Sequence, residues 1–86
     1  MKHKMKISND GKSPKLLYVE PEGADFWILP GQTFELRADV EDGNAHFEIL
    51  YNDKALQIYP SNRMGHISVF SDDKQLECAF QRPKTE

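Results

Sequence analysis

Residues 33–41 read TFELRADVE, and this stretch decides the fold. Phe34, Leu36, Ala38 and Val40 alternate without a fault with Glu35, Arg37, Asp39 and Glu41. A period of two puts the four apolar side chains on one face of an extended strand and the four charges on the other. Wound into a helix, the same residues would be spread around the axis and no face would be dry.

Outward from this strand the same period recurs in shorter runs at 5–9, 16–20, 24–29, 46–51, 55–59, 66–71 and 75–80, most of them rich in Ile, Val, Phe, Tyr or Leu. The intervening segments are turn chemistry: Asn9-Asp10-Gly11, Pro21-Glu22-Gly23, Pro30-Gly31, Asp42-Gly43-Asn44, Asn52-Asp53, the stretch 60–65 and Asp72-Asp73. Glycine supplies positive φ there, proline presets φ, and Asn or Asp bonds its own backbone. Asp42-Gly43-Asn44 predicts a hairpin, and Asn52-Asp53-Lys54 and Asp72-Asp73-Lys74 predict tight connections. Strands every ~8 to 12 residues predict an all-β, antiparallel two-layer β-sandwich of about seven to eight short strands. No stretch has the pattern of a substantial helix, such as the crossover helices that parallel sheets use.

A chain of 86 residues holds one domain, 1–86, with 1–4 and 83–86 expected as frayed ends. The dry register predicts a core of Ile7, Leu17, Val19, Phe26, Ile28, Phe34, Leu36, Ala38, Phe47, Ile49, Leu56, Ile58, Ile67, Val69, Leu76, Cys78 and Phe80. No apolar run is long enough to cross a membrane as a helix, and the basic start lacks the apolar stretch of a secretory signal. A cytoplasmic location is expected, in keeping with a single cysteine that has no partner for an internal disulfide.

The formal net charge of −3 has the wrong sign for a domain whose affinity rests on neutralising phosphates, so nucleic acid is not an expected partner. Lys2, Lys4, Lys6, Lys12 and Lys15 face only Asp10 in the first fifteen residues, a basic opening strand on an acidic body. Such lysines ordinarily sit solvated on a sheet edge.

Candidate chemistry is sparse. Cys78 falls in the inward register between Leu76 and Phe80, where a thiol is an inert core group. His46 and His66 fall on the outward register, away from it, so no nucleophile and base are paired. Cys78, His46, His66 and Met64 are the residue types of a blue-copper site, but the residues after Cys78 (AFQRPKTE) contain neither the His nor the Met that such a site needs. No Cys or His pair has zinc spacing, the glycines form no phosphate loop, and the acidic turn of Asp39, Glu41, Asp42 and Asn44 lacks the calcium-loop register. No enzyme, metal or cofactor is expected.

The outward register is unusual instead. Leu16, Tyr18, Trp27, Leu29, Leu50, Tyr59 and Phe70 share it with Asp25, Glu48, Gln57 and Ser68, and a sheet normally gives that face to polar groups. Trp27, Tyr18, Tyr59 and Phe70 are therefore the candidate binding residues. They suit an unidentified protein partner or self-association through an aromatic-bearing sheet face or edge. The alternative is a carbohydrate-like small ligand stacked on the rings.

Ile7-Ser8-Asn9-Asp10-Gly11, Val19-Glu20-Pro21-Glu22-Gly23 and Trp27-Ile28-Leu29-Pro30-Gly31 follow one another in the first 40 residues. This succession resembles small uncharacterised bacterial β-sandwich proteins with no assigned activity. The resemblance implies a compact bacterial domain and carries over no catalytic residue.

Overall fold

The alternation of TFELRADVE becomes β4 (Thr33–Asp39), in which Phe34, Leu36 and Ala38 are buried. The computed structural model describes the chain except Met1, Asp42, Arg63, Thr85 and Glu86. The remaining strands are β1 (Lys2–Ser8), β2 (Lys15–Val19), β3 (Ala24–Ile28), β5 (Phe47–Tyr51), β6 (Ala55–Pro60), β7 (Ser68–Ser71) and β8 (Lys74–Gln75). They form two four-stranded sheets, ordered β1-β4-β7-β8 and β3-β2-β6-β5, and the chain is an all-β two-layer sandwich.

Between the sheets lies one core of Leu17, Val19, Phe26, Ile28, Phe34, Leu36, Ala38, Ile58, Ile67, Val69 and Leu76. Ile7, Phe47, Leu56 and Phe80 pack against it half-buried, Phe80 meeting Phe34 edge to face with ring centroids 5.8 Å apart. Two expected core residues are elsewhere. Ile49 is 48% exposed because it lies on the outermost strand of its sheet. Cys78 is exposed because the strand expected at 75–80 pairs only through Lys74 and Gln75. Beyond Leu76 the backbone turns, Ala79 at φ 71° and Gln81 at φ 60°, and strict alternation ends.

Two connections also differ from expectation. β4 and β5 belong to different sheets and are not hairpin partners, contrary to the expectation at Asp42-Gly43-Asn44, of which Asp42 lies outside the described residues. β2 and β6 pair in parallel, Leu17 beside Leu56 and Val19 beside Ile58. No helix is needed for this, because the chain returns by way of β3, β4 and β5. The hairpins at 52–54 and 72–73 are formed. Asp72 and Asp73 both hold positive φ, the backbone a two-residue hairpin turn requires, and aspartate tolerates it through short-range bonding of its carboxylate.

Residues 2–4, expected to fray, are paired with β4 from Asp39 to Arg37, and Lys2 contacts Asp39 at 3.3 Å. Pro83 and Lys84 lie exposed outside any strand, and Met1, Thr85 and Glu86 are outside the described residues. Buried Asn9 joins the two layers. Its amide Nδ2 donates to the carbonyls of Ser13 and Ile28, and its Oδ1 accepts from the N–H of Gly11. Among the described residues no helix is long and apolar enough to cross a membrane.

Candidate functional site: the two edges of the second sheet

The four candidate binding residues do not converge. Tyr18, Trp27 and Tyr59 lie on the outer face of β3-β2-β6-β5, since their neighbours Leu17, Val19, Phe26, Ile28 and Ile58 point into the core. Phe70 lies on the outer face of the opposite sheet, where the Arg37 guanidinium stacks 3.9 Å from its ring centroid. Arg37 is itself held by Glu35 and Asp73. All four aromatic side chains are only half exposed.

Trp27 is further tied down by residues 76–82, which run along the outer edge of β3 as a strap. The Trp27 N–H donates to the Phe80 carbonyl at 2.9 Å, and its carbonyl accepts from Gln81 Nε2 at 2.7 Å. The Ala79 N–H donates to the Asp25 carbonyl at 2.6 Å. Asp25, which pattern alone sends to water, is buried beneath this strap. Its carboxylate takes a two-pronged grip from Arg82, Nε to Oδ2 at 2.8 Å and Nη2 to Oδ1 at 2.5 Å. It also accepts from the Trp27 indole at 3.1 Å and from the Cys78 thiol at 3.7 Å. The Arg82 hydrogen bonds hold the Asp25 carboxyl well below the usual carboxylate range, against the opposing effect of burial and with help from Trp27. The edge of β3 is therefore closed by the chain itself.

The other edge of the same sheet is β5, and it is open. Ile49, Leu50 and Tyr51 are 48%, 56% and 80% exposed, the most exposed large apolar side chains among the described residues. Hydrogen bonds from Ser61 N–H to His46 carbonyl and from Asn52 N–H to Ala55 carbonyl fix the parity of the β5–β6 ladder. Even-numbered residues of β5 thus turn their backbone groups toward β6. Phe47, Ile49 and Tyr51 turn theirs outward, to a side where no strand lies among the described residues. The edge of β1, by contrast, carries Lys2, Lys4 and Lys6, and β8 is only two residues long. Charged side chains and short strands are the usual guards against edge pairing; five-residue β5 carries one charge, Glu48, paired with His46, against the three lysines of β1.

Beneath Tyr51 a groove of about 250 Å³ runs between β1 and the β5–β6 hairpin. Its lining includes Ile7, Leu16 and Leu56 below, with Asp10, Asn52 and Lys54 at the rim. His46 Nε2 lies 3.2 Å from Glu48 Oε2, and its pKa is raised by the Asn44 carbonyl and by Glu48. His66 lies 3.1 Å from Glu22, whose pKa is lowered by a backbone N–H and by His66. The two histidines thus serve different carboxylates. No group of three or more His, Cys, Asp or Glu among the described residues is placed to hold a metal ion.

Tyr51 escaped the sequence reading. The available signal was that 47–51, FEILY, carries apolar residues on both faces, which a half-solvated strand does not need. No family model, curated protein or solved structure matches the chain.

Proposed function

We propose that the chain is a non-catalytic, cytoplasmic protein-interaction module that receives a β-strand from another polypeptide on the open edge of β5. The observation behind this reading is the coincidence, on one open edge strand, of outward backbone groups at Phe47, Ile49 and Tyr51 with the exposed Ile49, Leu50 and Tyr51 side chains. Strand addition takes affinity from the backbone ladder and selectivity from alternate side chains, and β5 offers both. Of the two forms foreseen, face and edge, the edge is favoured, because Trp27 already spends its backbone bonds on the strap and its indole N–H on Asp25.

Capture from cell extract on immobilised wild-type chain, Tyr51→Lys and Trp27→Ser separates the two. A partner held by the wild type and by Trp27→Ser but lost on Tyr51→Lys supports the edge. A partner lost on folded Trp27→Ser and kept by Tyr51→Lys returns the site to the sheet face.

A second reading rests on the groove. An exposed tyrosine ring beside Asn52, Asp53, Lys54 and Asp10 is the chemistry of a carbohydrate-like ligand site. Titration with oligosaccharides, followed by amide shifts of Leu16, Tyr51 and Asn52, tests it; unchanged shifts at millimolar sugar remove it.

A further inference from the structure

Resting on the edge reading above, we infer that the strand received by β5 is β5 of a second copy of this chain, paired antiparallel about a two-fold axis through Ile49. The backbone parity selects this arrangement. Phe47, Ile49 and Tyr51 have outward N–H and C=O groups, and antiparallel partners that exchange two hydrogen bonds must both be of this kind. Centred on Ile49, the pairing sets Ile49 against its own copy and Phe47 against Tyr51 twice, so every outward group on the strand is matched. The two sheets become one continuous eight-stranded sheet across the axis.

Neighbouring registers are poorer. Centring on Glu48 brings two like carboxylates directly opposite at a close, non-hydrogen-bonded position and leaves Tyr51 unmatched. Centring on Leu50 sets Phe47 against Asp53, in the turn, and loses its ladder bonds. The Ile49-centred register places Glu48 opposite Leu50 with no like charges face to face. On the core-side face it forms an aromatic pair, Tyr51 with Phe47 of the second copy, at the mouth of the groove lined by Tyr51 and Ile7. Such an interface is self-complementary, as a closed two-fold dimer requires.

A single paired strand lies at the small end of stable interfaces, under about 1,200 Å² in total, so micromolar association is expected. Sedimentation equilibrium of the wild-type chain from about 5 to about 500 µM is expected to show a monomer–dimer transition. Ile49→Lys, which sets two ammonium groups on the axis, should weaken it at least tenfold. Tyr51→Lys, at a site too exposed to affect folding, should do so if Ile49→Lys fails to fold. Register is read by oxidative cross-linking in a Cys78→Ser background. Mixed Glu48→Cys and Leu50→Cys chains should cross-link to each other faster than either does to itself. Faster cross-linking of Leu50→Cys with itself, or a dimer indifferent to both lysine variants, overturns the proposal. A chain monomeric at all concentrations also overturns it. If such a monomer still loses a captured partner on Tyr51→Lys, self-pairing fails while edge recognition stands; if capture is also indifferent to β5, both fail.

Discussion

The edges of β3 and β5 bound the same sheet and present the same backbone problem, a row of N–H and C=O groups with no neighbouring strand. At β3 the chain solves it internally. Residues 76–82 satisfy the Trp27 N–H and carbonyl and the Asp25 carbonyl, then lock the arrangement with the Arg82–Asp25 ion pair. At β5 nothing comparable is spent, and apolar side chains are left standing in water. An edge can thus be closed by an isolated bridge from a distant segment and one buried charge, and the contrast marks β5 as the edge the chain leaves open.

The largest effect should come from opening the closed edge. Ending the chain after Gln75 removes Leu76 and Phe80 from the core and the strap from β3 together, and cooperative thermal unfolding should be lost by near-ultraviolet circular dichroism. A graded version is Phe80→Ala, expected to cost about 2–4 kcal/mol in urea unfolding because the ring packs on Phe34.

Next in size is the lock. Asp25→Asn keeps the shape but loses the charge, and should cost about 1–3 kcal/mol at pH 7. Its pH dependence has a fixed sign. The native Asp25 carboxyl titrates below its ordinary value of 3.8, so the stability it contributes is present above that value. That contribution is lost as pH falls below 3.8 toward the native value. The gap between wild type and Asp25→Asn in denaturation midpoint should therefore narrow below about pH 4.

A gentler comparison uses hydrogen exchange at low protein concentration. The Trp27 amide, bonded to Phe80, should exchange slowly, whereas Phe47, Ile49 and Tyr51 amides should exchange faster than those of Glu48 and Leu50. Equal protection along β5 in the monomer would remove the distinction between the edges. The smallest effect on stability is expected for Tyr51→Lys, within about 0.5 kcal/mol in urea unfolding, because the ring is largely in solvent. A larger loss would show that β5 is more than an open edge.

What the sequence made legible is what is local. The faces of residues 33–41 follow from alternation, and the Asp72-Asp73 and Asn52-Asp53 turns follow from residues that tolerate their own backbone geometry. The core cluster from Leu17 to Val69 follows from alternation too. What escaped depends on contacts far apart in the chain. That β5 is an edge follows from β2 pairing in parallel with β6, and neither strand's residues announce the other. Asp25 is buried because Arg82, 57 residues away, returns to it. Cys78 left the core because left-handed backbone at Ala79 breaks the period on which its assignment rested. Trp27 and Tyr18 were recognised as outward, but the strap that covers the edge beside them was not.

The strap also imposes an order of events during synthesis. Gln81, which bonds the Trp27 carbonyl, is made 54 residues after it, so the edge of β3 cannot be closed before that segment has been made. Without it the edges of β3 and β5 are alike, and residues 76–82 alone make them different. A chain cut before residue 76 thus leaves bare, at β3, the backbone edge that the full fold hides.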